Sequence, residues 1–251
     1  MNQPRIALIT GAAKGIGRAA ADLLAAQGVT VVIGARDPHR GEQAAAAIRA
    51  AGGHAHALTL DVTDAATVHA AASWIDGRFG RLDILVNNAA ITGSGNAAPK
   101  DALDRVPSAV DVDLVRAVFD TNVFAVITVT NTMLPLLRRS PAARIVNLSS
   151  HSASLTMTAE ADGPLSGLVS AAYSPSKAAL NALTLQYANE LRKNTGILVN
   201  AAAPGYVDTD INGHTGVLTP AQGAAVVVRL ATLGPDGPTG AFHSQEGPLP
   251  W

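Results

Sequence analysis

Tyr173 and Lys177, in the run Tyr-Ser-Pro-Ser-Lys, stand four residues apart, so their side chains share one face of a helix. A phenol ordinarily loses its proton at about pH 10, too high for good acid–base work at neutral pH. A fixed ammonium beside it favours the phenolate and is expected to draw that pKa down toward the working range. The pair reads as a candidate proton donor and its modulator. The same spacing also describes a solvated helix face with a half-buried tyrosine, so a second signal has to decide.

That signal is the run Thr10-Gly11-Ala12-Ala13-Lys14-Gly15-Ile16-Gly17, which follows the apolar run Ile6–Ile9 and precedes a helical stretch. Glycines in such a turn allow close backbone approach to a pyrophosphate and helix–strand contact without a Cβ. The helix N-terminus adds free N–H groups and the positive end of its dipole. Gly11, Lys14, Gly15, Ile16 and Gly17 are therefore candidate dinucleotide contacts.

The end of the second strand bears on which dinucleotide. An NAD site places an acid about 20 residues past the glycines, on the ribose 2′-OH. Here that stretch reads Gly34-Ala35-Arg36-Asp37, with Ala35 at the expected acid position. Arg36, with Lys14 and Arg40 nearby, suits a 2′-phosphate, so NADP(H) is favoured. Asp37 keeps NAD(H) as the lesser option. Arg36 and Arg40 also read as exposed residues paired with Asp37 or Glu42.

The rest of the chain has to hold these groups. Apolar runs of strand length alternate with helical stretches: strands at Ile6–Ile9, Val29–Gly34, Ala55–Leu60, Leu82–Val86, Arg144–Leu148 and Ile197–Ala201. Helices are expected at Gly15–Gln27, Pro38–Ala51, Ala65–Phe79, Val110–Arg138 and Pro175–Lys193. That alternation implies an α/β fold, a Rossmann-type doubly wound parallel sheet of about seven strands with helices on both faces. No linker or repeat divides residues 1–251, so a single dinucleotide-binding reductase domain is expected. Substrate loops fall at about 91–99, 151–172 and 205–219, past the carboxyl ends of strands, where open α/β sheets bind ligands.

Composition excludes several other functions. Net charge is −1 with scattered basic residues, which leaves no electrostatic footprint for nucleic acid or an anionic membrane. Without cysteine, disulfides, thiolate catalysis and thiolate metal sites are ruled out, and the seven histidines show no ligand-like pairing, so no metal is expected. Met1–Arg5 carries no secretory leader pattern and no run reaches membrane-spanning length, which makes a cytoplasmic protein the expectation.

Glycine loop, second strand and Tyr-x-x-x-Lys together resemble the classical short-chain dehydrogenase/reductase family, over essentially the whole chain. Thr10–Gly17 fits that family's Thr-Gly-x-x-x-Gly-x-Gly. Asp61-Val62 looks like its adenine-contacting pair, and Asn87-Asn88-Ala89-Ala90 resembles its Asn-Asn-Ala-Gly signature, with Ala90 in place of the last glycine. That exchange is tolerable only if residue 90 keeps a negative φ. Asn88 and Ala89 join the cofactor contacts implied by the resemblance, as do Pro204, Gly205, Val207 and Thr209 of the Pro-Gly segment. The family's catalytic tetrad maps onto Asn122, Ser150, Tyr173 and Lys177, with Ser149 the rival for the serine. Ser150 precedes Tyr173 by 23 residues, a long interval that looks most like the carbonyl-reductase branch.

The resemblance implies an NADPH-dependent reduction of a ketone or aldehyde to an alcohol. Tyr173 would give the proton and Ser150 would hydrogen-bond the carbonyl oxygen. Lys177 would lower the phenol and hold the nicotinamide ribose. Asn122 would perturb its helix and hold a water leading to Lys177. Candidate substrate walls are Ile91, Thr92, His151, Leu155 and Tyr206, suited to a neutral, moderately hydrophobic carbonyl compound. A non-catalytic NADP-binding sensor and an NAD-dependent alcohol dehydrogenase are the alternatives. The helix Ala178–Leu191 carries apolar residues on more than one face, which points to a homo-oligomer, dimer or tetramer, with a monomer as the other option.

Overall fold

The computed structural model describes residues 4–93, 106–193 and 196–251. Seven parallel strands form one sheet: β1 Ile6–Thr10, β2 Thr30–Ala35, β3 Ala55–Thr59, β4 Ile84–Asn87, β5 Arg144–Leu148, β6 Leu198–Ala202 and β7 Phe242–His243. Their order is β3-β2-β1-β4-β5-β6-β7. The helices are α1 Gly15–Ala26, α2 Pro38–Ala50, α3 Ala65–Phe79, α4 Val112–Phe119, α5 Ala125–Leu137, α6 Leu155–Ala159, α7 Tyr173–Leu191 and α8 Pro220–Ala231.

Successive strand residues point to opposite faces, and both faces are covered. Ala7, Ile9, Val31, Ile33, Ile84, Val86 and Val146 enter one core, with α1, α2 and α8. Ile6, Leu8, Val32, Leu85, Ile145 and Val199 enter the other, with α3, α5 and α7. This is why the strands read as unbroken apolar runs rather than as alternations.

Strand order reverses between β1 and β4, and that is where an open α/β sheet offers its ligand crevice. The Thr10 hydroxyl fastens the crevice. It accepts from the backbone N–H groups of Asn88 and Ala89, both at 3.0 Å, so the ends of β1 and β4 are locked together. Ala12 N–H donates to Gly34 O at 3.1 Å, fixing the glycine loop to the end of β2.

Three features depart from the sequence expectation. α6, α8 and β7 were not expected as elements; β7 forms the sheet's far edge, and α8 packs beside α1 on one face. α7 begins at Tyr173 rather than at Pro175, and Tyr173 N–H donates to Ser170 Oγ at 3.0 Å. Pro175 still falls in the first turn, where its missing N–H has no partner to lose. The helix expected over 110–138 is divided: α4 and α5 are joined by a π turn at Asp120–Phe124. Of the loop expected at about 91–99, only residues 91–93 lie among those described.

Candidate active site

The π turn holds Asn122, whose side chain is wholly buried. Such turns insert one residue into a helix and are frequent at functional sites. Here the insertion swings the Asn122 amide onto Ile91: Oδ1 accepts from Ile91 N–H and Nδ2 donates to Ile91 O, both at 2.9 Å. Nδ2 also donates to Ser176 Oγ at 3.0 Å, and Ser176 Oγ donates to Tyr173 O at 2.7 Å. Asn122 thus sits where its helix is perturbed. Both of its N–H groups are taken by protein, so its amide acts first as a brace between residue 91 and the opening turn of α7. Only its oxygen retains capacity toward a water.

Burial rather than mutual charge sets the Tyr173–Lys177 pair. Lys177 is buried and donates from Nζ to Leu148 O at 2.7 Å. Desolvation pulls its ammonium down to about 7. Loss of solvent around the half-buried Tyr173 pushes the phenol up to about 12, against the hydrogen bond from Ser150 that lowers it. The expected lowering of Tyr173 by a fixed ammonium does not hold here. Lys177 is itself titratable near neutrality, and its Nζ lies 5.8 Å from the Tyr173 ring centroid while bonding a carbonyl. The result is a phenol held protonated beside an amine able to exchange protons at neutral pH.

Lys177 gives this pair a stability signature. An unfolded lysine titrates near about 10.4. Between pH 7 and that value the unfolded chain binds more protons than the folded one, so stability rises with pH across the window. This contribution is complete above the unfolded pKa and is lost as pH falls through about 7. Lys177→Met is expected to flatten the rise in unfolding free energy from pH 7 to pH 10, measured by urea melts. Parallel pH curves for the two proteins would contradict the burial argument.

Ser149 and Ser150, rivals in the sequence, face different ways. Ser149 Oγ donates to Asn181 Oδ1 at 2.6 Å inside the α7 contact. Ser150 is half-buried, lowers the pKa of the phenol, and stands 3.0 Å from Ser152 Oγ. The structure therefore brings Ser150, Tyr173 and Lys177 together, with Asn122 two hydrogen bonds behind, through Ser176. A buried polar chain that the sequence reading missed sits beneath them. Asn87 Nδ2 donates to Thr130 Oγ1 at 3.1 Å and to Asn147 Oδ1 at 2.9 Å, and Asn147 Nδ2 donates to Thr184 Oγ1 at 2.9 Å. This chain fixes β4 and β5 against α5 and α7. An asparagine inside an otherwise apolar buried run, such as Ile145-Val146-Asn147-Leu148, was the available signal.

The glycine loop has the shape of a phosphate cradle. Gly11 and Gly15 hold φ of 64° and 57°, open to glycine and strained for other residues. A Cβ on Gly17 would stand 2.4 Å from Asn88 Nδ2, which is itself tied to Thr10 O at 2.8 Å. Ile16 follows in the first turn of α1, packed on the core. Ala90 keeps a negative φ, so the missing glycine in that signature is tolerated. The residues present fit a dinucleotide by this test.

At the adenosine end, Val62 is buried and Asp61 takes the N–H and hydroxyl of Thr63. Burial would raise the Asp61 carboxyl, but the Thr63 bonds and the Arg36 charge hold it below its usual value. Arg36 is exposed at the end of β2. Arg40 pairs with Asp37 at 3.5 Å, as the plainer reading had it, and Asp37 caps α2 by accepting from His39 N–H at 2.9 Å. Lys14 is turned the other way, ion-paired with Asp210. Pro204 leads into Gly205, which holds a φ of 85°. Val207 is buried and bridged to Leu218, and Thr209 starts a short turn on the opposite wall.

Comparison with known proteins agrees with this geometry. The sequence model of the short chain dehydrogenase family matches residues 5–216. The chain is 36% identical to short-chain dehydrogenase/reductase 1 of Saponaria officinalis, over 99% of this chain and 97% of that one. It is 31% identical to (+)-neomenthol dehydrogenase of Capsicum annuum, over 95% of each chain. Among solved structures, salutaridine reductase from Papaver somniferum superposes with a TM-score of 0.78 at 31% identity, covering 95% of this chain and 99% of that one. A short chain dehydrogenase from Shigella flexneri, solved as a complex with NADP, superposes with a TM-score of 0.81 at 26% identity, covering 96% and 97%. Motifs, sheet order and relatives converge, and the chain belongs to the classical short-chain dehydrogenase/reductases, a family of oxidoreductases.

Proposed function

We propose that the protein is an NADPH-dependent reductase of a ketone or aldehyde, with Asn122, Ser150, Tyr173 and Lys177 as its tetrad in one domain. A bound nicotinamide dinucleotide supplies the hydride. Tyr173 gives its proton to the carbonyl oxygen as negative charge develops there, and Ser150 donates a hydrogen bond to the same oxygen. Lys177, titrating about neutrality, passes a proton back to Tyr173. Asn122 braces the opening turn of α7 so that the phenol keeps its place. The meeting of Ser150, Tyr173 and Lys177 beyond the end of β5 carries this reading, because it puts a proton donor, an amine to replenish it and a second hydrogen-bond donor in one place.

The substrate class follows from where apolar surface is left uncovered. Of eight large exposed apolar side chains among the described residues, six lie in the loops over 151–172 and 205–219: Leu155, Leu168, Val169, Tyr206, Ile211 and Val217. Such a rim favours a neutral hydrophobic carbonyl over a charged one. Burial lowers the pKa of His151, beside Ser150, against the Glu246 charge that raises it, which disfavours an imidazolium at the site. Loss of NADPH absorbance with a panel of aldehydes, cyclic ketones and charged keto acids tests the reading. Turnover of the neutral compounds is expected; binding of NADPH with no turnover of any carbonyl would favour a sensor instead.

Exposed Arg36 supports NADP(H) over NAD(H), and the NADP complex of the Shigella flexneri relative is consistent with it. Arg36→Asp is expected to move the ratio of kcat/KM values toward NADH by about tenfold or more, since a guanidinium–phosphate attraction becomes a repulsion. An unchanged ratio would overturn the 2′-phosphate assignment. A homo-oligomer belongs to the same reading, because Ala182 is exposed and Leu183 and Leu185 are only half-buried on α7. The solution mass is its check.

A further inference from the structure

Lys14 and Asp210 are 196 residues apart in sequence, yet they form an ion pair between the glycine loop and the segment after β6. The two loops also meet one residue on, where a Cβ at Gly15 would stand 3.3 Å from Thr209 Cγ2. The pair therefore spans the mouth of the crevice. One wall is the loop that faces cofactor phosphates; the other is the wall of Val207 and Thr209.

Asp210 is held in position from behind. Its Oδ1 lies 2.9 Å from His214 Nε2, and His214 Nδ1 lies 2.6 Å from Asp208 Oδ1. A ring that donates from both nitrogens is an imidazolium, and the Asp208 hydrogen bond, then that of Asp210, raises its pKa. His214 also keeps a φ of 61°, the single non-glycine residue with positive φ among those described. Such a backbone persists where surrounding contacts over-determine it. Asp208, His214, Asp210 and Lys14 thus form one chain of alternating charge that ends on the phosphate loop.

We propose that Asp210 sets how tightly the protein holds its dinucleotide, by competing with a cofactor phosphate for the Lys14 ammonium. The proposal rests on the cofactor reading above. An ammonium is a compact charge on a flexible stem, so Lys14 can turn between a carboxylate and a phosphate. The Asp210 carboxylate both neutralises it and draws it toward the far wall. Lys14 lies between the glycine turn and the loop of Thr209, and Arg36 stands at the end of the adjacent strand. The phosphate in question is either the pyrophosphate or the 2′-phosphate; both are oxyanions that an ammonium would take.

Dissociation constants for NADPH and NADH, measured by fluorescence titration, test this in the wild type, Asp210→Asn, Lys14→Met and the double variant. Asp210→Asn is expected to tighten NADPH roughly threefold, the scale of an exposed ion pair. The gain is expected to disappear when Lys14 is already Met. Tightening of NADPH alone assigns Lys14 to the 2′-phosphate, whereas equal tightening of both dinucleotides assigns it to the pyrophosphate; either result supports the competition. Unchanged or weaker binding overturns it, as does an equal gain with and without Lys14, which would be simple charge repulsion. A wild-type protein that binds neither dinucleotide overturns the cofactor reading and this one with it. Asp210→Ser serves as a second variant should the amide disturb the turn, with the same outcomes.

Discussion

Tyr173→Phe is expected to lower carbonyl turnover between about a hundredfold and ten-thousandfold while leaving NADPH affinity within a few-fold. The substitution removes one oxygen, and with it the proton that has to reach the substrate as the carbonyl is reduced. General-acid groups contribute on that scale. Folding is not at stake. Ser150 keeps Ser152 as a neighbour at 3.0 Å, so deleting the phenol oxygen leaves no buried group orphaned. Steady-state rates and a dinucleotide titration on the same preparation decide the matter. Retention of more than about a tenth of the rate would remove Tyr173 from the acid role, which that scale does not allow for a lost donor.

A second large effect is expected at Gly216, a residue with no chemistry of its own. A Cβ there would stand 2.1 Å from the carbonyl carbon of Val207 and 2.2 Å from the amide nitrogen of Asp208. Both neighbours are backbone, and neither is free to yield. Asp208 N–H donates to Leu218 O at 2.8 Å and Val217 N–H donates to Tyr206 O at 2.9 Å, so the two limbs of the loop are stitched together across the contact. Gly216→Ala must part them and move Val207 and Thr209 with them. Misplacement of a positioning residue by about 1 Å can lower the rate on the order of a hundredfold, and kcat is expected to fall on that scale. Gly167→Ala, where an added Cβ meets nothing within 4 Å, is the matched control. Equal rates for the two variants would show that this loop does not position the reacting groups.

Most of the framework was legible because helices and buried strands leave strong periodic marks. α3 and β5 fall on their expected bounds, and the glycine loop and Tyr-x-x-x-Lys are local patterns that need no partner to be read. What escaped depends on contacts far apart in sequence. β7 is two residues long and counts as a strand only because β6 lies beside it. α8 hid behind Pro220 and Gly223, although its capping box, Thr219 with Gln222, is a readable start signal. The direction of the Tyr173 shift was missed for a different reason: spacing shows that two groups are neighbours, but burial decides which protonation state each prefers. Lys14 shows the same limit, since no local pattern reveals that Asp210 claims its charge.

The π turn at Asp120–Phe124 has an evolutionary reading as well. One residue more than an α-helix requires is equivalent to a single-codon insertion that was never removed. Deleting one residue there would let α4 run on into α5 as regular helix, a local gain in hydrogen bonding. The wider turn absorbs the extra residue, so the helices on either side would keep their facing and only the turn itself would be rebuilt. Val118 would keep its buried seat, but the Asn122 amide would let go of Ile91 and Ser176. A deletion at this turn should therefore cost the site rather than the fold, whereas a deletion elsewhere along residues 112–137 would turn a helix face away from the core by about 100°.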